Sequence, residues 1–154
     1  MSPADADAAA PRWRIRGDVA IADVAIEAWG ATLDELFAAA ADATVATMAG
    51  DPGAIADRER RSIRLEEREA DLLLYRFLEE LVYFKDAQGL LLRVPEVRVS
   101  EGDGGAFVLE AEARGESLDP ARHRLQVDVK AVTLHRLRVE RTGRGWEAFV
   151  VLDV

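Results

Sequence analysis

Three charged residues stand where apolar ones would be expected, and with the chain end they could form a charge-balanced cluster. Asp23 interrupts VAIADVAIEAW, Asp153 interrupts the terminal FVVLDV, and Lys130 lies in VDVKAVTLH with small or apolar neighbours on its C-terminal side. Charges inside such strands are rare unless paired or coordinated. The α-carboxylate of Val154 follows Asp153 at once, and repulsion between two such groups grows severalfold if a strand end is buried. Each residue alone also fits a solvated strand end. Two aspartates, a chain-end carboxylate and one lysine would form a balanced cluster if the fold brought them together.

Other chemistry is poorly represented. The sequence has no HExxH pair, Walker lysine motif, EF-hand loop or GxSxG, and Ser2, Ser62, Ser100 and Ser117 all lie in polar or turn-like surroundings. His123 and His135 flank the strand holding Lys130, a spacing that does not by itself make a metal site. The glycine runs 102–105 and 142–145 join strand to strand, so they read as hairpin turns and not as phosphate loops.

Positioning these residues requires strands and two helices. Residues 13–30 alternate and are β-branched, suggesting two short strands broken near Gly17-Asp18, or one strand with a bulge. Thr32-Leu33-Asp34-Glu35 is a capping box that opens a helix with Leu33, Leu36, Phe37, Ala40, Thr44 and Met48 at helical spacing; Gly50-Asp51-Pro52-Gly53 stops it. A charged stretch over 57–69 reads as an edge strand carrying Ile63 and Leu65. A second helix over about 71–85 has a stripe of Leu74, Phe77, Leu78, Leu81 and Val82, and Gly89 ends it. Further strands are expected over 90–99, 107–114, 127–133, 137–141 and 146–153. This order predicts an α+β domain over 12–154, with two helices packed on one face of a mixed, mostly antiparallel sheet, preceded by a disordered tail over 1–11.

The 154 residues are 49% hydrophobic and 32% charged, which fits one soluble domain and leaves no apolar run long enough for a membrane span. The 29 acidic and 20 basic side chains give a net charge of −9, disfavouring strong direct nucleic-acid binding. With no cysteine, there are no disulfides or thiolate sites, and a cytoplasmic location is expected. The Ala-rich opening does not read as a signal peptide.

Gly115-Glu116-xx-Asp119-xx-Arg122-His123, then Val129-Lys130-Ala131-Val132-Thr133-Leu134-His135, and the closing Val151-Leu152-Asp153-Val154 resemble the archease family. So does Ala22-Asp23-Val24 leading to Gly30 and the Thr32-Leu33 helix start. The resemblance spans Trp13 to the last residue. It implies an α+β fold and a non-enzymatic partner of the GTP-dependent RNA-splicing ligase, promoting that ligase's guanylylation and multiple turnover in tRNA splicing or RNA repair. It further implies a divalent ion, usually Ca²⁺, on Asp23, Asp153 and Val154, with Lys130 needed for activation and Glu116, Asp119, His123 and His135 as surrounding support. Where the family usually has His-Thr-Ala-Asp, this chain has Ala20-Ile21-Ala22-Asp23, and Leu134 replaces a common aromatic.

Two other functions fit the same residues. One is a metal-dependent hydrolase in which an ion at Asp23 and Asp153 activates water and Lys130 stabilises an oxyanion. The other is a chaperone-like partner of RNA-modifying enzymes. An acidic protein suits docking onto a basic enzyme better than holding unfolded chains.

Overall fold

The computed structural model describes residues 11–20 and 23–154, with side chains at all of these except 17–20. The tail expected over 1–11 falls outside the described residues except for Pro11, and so do Ile21 and Ala22. Strands β1 (Trp13–Ala20) and β2 (Asp23–Gly30) pair antiparallel, and the register shifts between Arg16 and Ala20. The irregularity expected near Gly17 is therefore present, while β1 continues to Ala20.

Helix α1 (Leu33–Ala49) opens on the capping box: the Glu35 amide donates to Thr32 Oγ1 at 3.2 Å, and Glu35 Oε2 accepts from the Ala31 amide at 2.8 Å. Its alanine-rich sequence is buried almost all round, as suits a helix enclosed by other elements. Strand β3 (Glu59–Glu67) buries Ile63 and Leu65 and leaves its charges in water. Helix α2 (Ala70–Gln88) ends at Gly89, whose φ of 64° lets its amide reach the Lys85 carbonyl. Pro95 separates β4 (Leu90–Arg93) from β5 (Val97–Glu101), where a single strand was expected. Strand β6 (Phe107–Ser117), a short helical turn α3 (Pro120–His123), β7 (Ala131–Val132), β8 (Arg138–Thr142) and β9 (Gly145–Asp153) complete the chain.

The α+β class holds, but the strands form two antiparallel sheets in place of one mixed sheet. In the first, β9 pairs with β2 on one edge and with β7 and β8 on the other, and β1 lies outside β2. In the second, β6 pairs with β3 on one edge and with β4 and β5 on the other. Alternation in a sequence specifies which face a residue takes and says nothing about which strand lies beside it. Both helices touch strands of both sheets, so one continuous core, including Phe37, Phe77, Leu78, Leu109 and Leu152, lies between them. Gly115 permits the close approach of β4 to β6, since a Cβ there would stand 1.8 Å from the Leu91 carbonyl oxygen. Among the described residues, no helix is long and apolar enough to cross a membrane.

Candidate functional site

The β2–β9 ladder places Asp23 directly opposite Asp153 at one end of the first sheet. The interior face of this ladder presents Ile26, Ala28, Ala148, Val150 and Leu152 to the main core. On the other face Ala25, Phe149 and Val151 form a small second cluster, with the guanidinium groups of Arg136 and Arg138 over the Phe149 ring at 4.9 and 5.6 Å. Alternation puts Asp23 and Asp153 on this second face, just beyond the cluster. Directly opposed residues have Cβ atoms roughly 4.5–5.5 Å apart. Two carboxylates can therefore converge on one ion without any rearrangement of the backbone.

Glu27 provides a contrast four residues along the same strand. Arg16 at 2.7 Å and Arg14 at 2.5 Å grip its carboxylate, and their hydrogen bonds hold its pKa below the usual carboxylate range despite the opposing effect of burial. Asp23 and Asp153 are half-buried, and neither makes a hydrogen bond or ion pair through its side chain with any described residue. Val154 packs its side chain against the core, which fixes the residue after Asp153.

Lys130 is tied to this ladder through its backbone. Its amide donates to the Asp153 carbonyl at 2.8 Å, and Ala131 is the register partner of Asp153 on the edge opposite Asp23. Val129 and Val132 are buried while Lys130 is exposed, so its side chain is presented to solvent. Of the strand expected over 127–133, only Ala131–Val132 pairs as β7.

The Gly115–His123 stretch of the resemblance builds a separate cluster on the other sheet. Glu116 is 5% exposed; its Oε2 accepts from the Ala56 amide at 2.6 Å and lies 3.1 Å from His123 Nε2, while Oε1 pairs with Arg122 and, at 3.9 Å, with Arg58. The Asp119 amide donates to His123 Nδ1 at 2.8 Å, which leaves the ring proton on Nε2, directed at Glu116. Asp119 also caps α3 by accepting from the Ala121 amide. Burial, and then the Arg122 charge, push the His123 pKa below the usual histidine value. This network closes the 53–58 loop and α3 onto the end of β6 and has no bond to Asp23 or Asp153. His135 lies in the exposed loop before β8, its amide donating to Thr133 Oγ1 at 3.2 Å.

Sequence reasoning passed over Lys85. Its ammonium is buried and donates to Asp128 at 2.6 Å and to the Val129 carbonyl at 2.7 Å, with Asp86 at 2.8 Å. Burial works against the charge, but the hydrogen bonds Lys85 donates to these carboxylates prevail, and the pKa lies above the ordinary lysine value. A signal was present: Lys85 follows Leu74, Leu78 and Leu81 at helical spacing, on the apolar stripe itself.

The donor set suits a hard divalent cation, which takes carboxylate and carbonyl oxygens. Among the described residues, no three His, Cys, Asp or Glu side chains gather as a metal site, so Asp23 and Asp153 have no third such side chain beside them. Two open hollows, of about 590 and 600 Å³, lie on the second sheet, near Arg98 and Glu110 and near Arg58 and Arg122.

Residues 18–154 match the Archease protein family (MTH1598/TM1083). The chain is 36% identical over 134 residues to the protein archease of Pyrococcus abyssi and 37% identical over 134 residues to that of Thermococcus gammatolerans; each alignment covers 86% of this chain and 93% of the relative. The solution structure of Methanobacterium thermoautotrophicum protein 1598 superposes with a TM-score of 0.81 at 28% identity, covering 94% of this chain and all of that one. An archease of Thermotoga maritima described as a possible chaperone shares the fold, with a TM-score of 0.57 at 20% identity over 92% of this chain and 98% of its own. With the α+β architecture and the family match running through the last residue, this chain belongs to the archease family.

Proposed function

We propose that the chain is a non-enzymatic partner of the GTP-dependent RNA-splicing ligase, promoting its guanylylation and multiple turnover in tRNA splicing or RNA repair. The observation that carries this reading is the facing pair Asp23 and Asp153, two half-buried carboxylates without a cation among the described residues, with the Lys130 backbone held alongside through the Asp153 carbonyl. Asp23, Asp153 and the carboxylate of Val154 would hold a divalent ion, with Ca²⁺ expected from the all-oxygen donor set. A bound hard cation would neutralise these charges and offer an oxygen of the partner a place to bind. Lys130 supplies an exposed point charge for a phosphate or carboxylate oxygen on the partner. The net charge of −9 favours encounter with a basic, RNA-binding surface.

The test uses the purified protein with its cognate ligase. Alone it should leave RNA with 2′,3′-cyclic phosphate ends unchanged, whereas substoichiometric amounts should raise ligase turnover with GTP. Lys130→Ala should abolish the stimulation, and rising ionic strength should weaken it as the Debye length falls below about 8 Å. Turnover of a phosphoester by the isolated protein, lost in Asp153→Ala, would favour the hydrolase reading. Stimulation undiminished in both Asp23→Ala and Lys130→Ala would remove the site from the function.

A further inference from the structure

Helix α2 grips the segment around Lys130 at two points. Lys85 Nζ donates to the Val129 carbonyl at 2.7 Å, and Glu79 Oε1 accepts from the Val132 amide at 3.2 Å. The segment runs antiparallel to the helix, so a cation two turns along α2 holds a carbonyl on one side of Lys130 and an anion holds an amide on the other. Between these points the Lys130 amide is bound to the Asp153 carbonyl. Lys85 also holds Asp128 at 2.6 Å, and Glu79 interacts with Tyr75, whose hydroxyl pKa is raised by burial and by that carboxylate. The segment needs such support because β7 itself contributes only two paired residues.

We propose that Lys85 and Glu79 are positioning residues that fix the backbone of Lys130, and hence the direction of its side chain, for action on the partner ligase. This rests on the reading that Lys130 acts on that ligase. A buried ammonium is suited to the task. It can satisfy a carbonyl, Asp128 and Asp86 together, and its loss leaves the Val129 carbonyl without its donor. Direction matters for a long side chain, because a lysine on a mobile segment spreads its charge over a volume instead of presenting it at one point.

Amide hydrogen exchange on the isolated protein, alongside ligase stimulation, tests the proposal. In Lys85→Met, exchange at Lys130 and Val132 should accelerate by about tenfold or more while the amides of α1 and β6 keep their protection. Stimulation should fall by a similar factor, and Lys85→Arg, which retains a buried donor, should recover part of both. Glu79→Ala, which removes the Val132 acceptor and leaves the buried ammonium in place, should reproduce the loosening and so provides an arm independent of any global instability in Lys85→Met. Unchanged exchange at Lys130 and Val132 in both variants overturns the proposal. So does local loosening with full stimulation in a protein whose Lys130→Ala variant has lost it. Stimulation retained by Lys130→Ala itself overturns the underlying reading, and that failure is told apart because it appears without any change at Lys85 or Glu79.

Discussion

Asp23 and Asp153 are register partners, opposed across the β2–β9 ladder at the end of a sheet, and neither carboxylate has a cation among the described residues. Like charges directly opposite each other destabilise a strand pair. Four residues along β2, Glu27 has two arginines. Among the described residues, the fold thus neutralises a carboxylate on this face in one place and leaves two bare in another, which is what a site for an external cation requires.

The charge imbalance has a thermodynamic signature of opposite sign with and without metal. In metal-free buffer, Asp153→Asn should be as stable as the parent or more so, by up to about 1 kcal/mol, because it relieves the repulsion. Calcium at a hundred times its dissociation constant should stabilise the parent by about 2.7 kcal/mol, or roughly 5–10 °C in melting temperature for a domain of this size. The variant should show none of that gain. Melts of both proteins with calcium and with a chelator decide the matter; a parent indifferent to calcium would mean the pair binds no such ion.

The role proposed for Val154 depends on a charged carboxylate at that residue. Residues appended after Val154 would convert it to a neutral peptide carbonyl, and calcium affinity should fall on the order of tenfold. The same extension placed before residue 1 should leave the titration unchanged. Equal affinities for the two forms would exclude the Val154 carboxylate as a ligand, even if Asp23 and Asp153 still bind.

Much of this was legible from residue pattern, for identifiable reasons. Thr32 and Glu35 announced α1 because capping is local chemistry, and the stripe of Leu74, Phe77, Leu78 and Leu81 announced α2 because burial imposes the helical period. Asp23 and Asp153 stood out because they break apolar strands. Their juxtaposition is a matter of register between residues 130 positions apart, which alternation does not encode. The division into two sheets was hidden for the same reason. Lys85 was missed because a lysine in the last turn of a helix normally serves the macrodipole, so its place on the apolar face attracted no notice. Glu116 came into view through family resemblance and His123 as one of two histidines, and only the structure separates their network from the aspartate pair.

That network makes its own prediction about pH. His123 titrates below the usual histidine value of about 6.5, so the folded state favours its neutral form. Its contribution to stability is therefore present above about pH 6.5 and is lost as pH falls from there toward the folded-state pKa. Arg122, Arg58, Glu116 and Asp119 surround the ring, and Glu116→Ala should cost about 2–4 kcal/mol by leaving the Ala56 amide and the His123 Nε2 proton without an acceptor. The chemical shift of the His123 ring, followed by NMR from pH 8 to pH 5, checks the first point, and denaturant unfolding at pH 7.5 checks the second. A His123 midpoint at or above 6.5 would show that the Glu116 charge outweighs burial. Neither change should alter calcium binding, since the network has no bond to Asp23 or Asp153.

Position 20 offers the most direct probe of the proposed metal site. Ala20 is the register partner of Asp23 across the β1–β2 pair, at the position where the family resemblance leads one to expect histidine. Ala20→His therefore tests whether an imidazole introduced opposite Asp23 joins the two carboxylates. Imidazole suits Zn²⁺ far better than Ca²⁺, which prefers oxygen. Zinc affinity should therefore rise by about tenfold or more while calcium affinity changes little, and the gain should vanish below about pH 6.5 as the ring protonates. Adding Asp23→Asn to the same chain should cancel it. Calorimetric titration of both ions into the parent, Ala20→His and the double variant distinguishes the possibilities. A zinc gain that survives Asp23→Asn would mean that position 20 recruits metal elsewhere, and no gain at all would mean that the backbone at position 20 does not hold a side chain within reach of the pair.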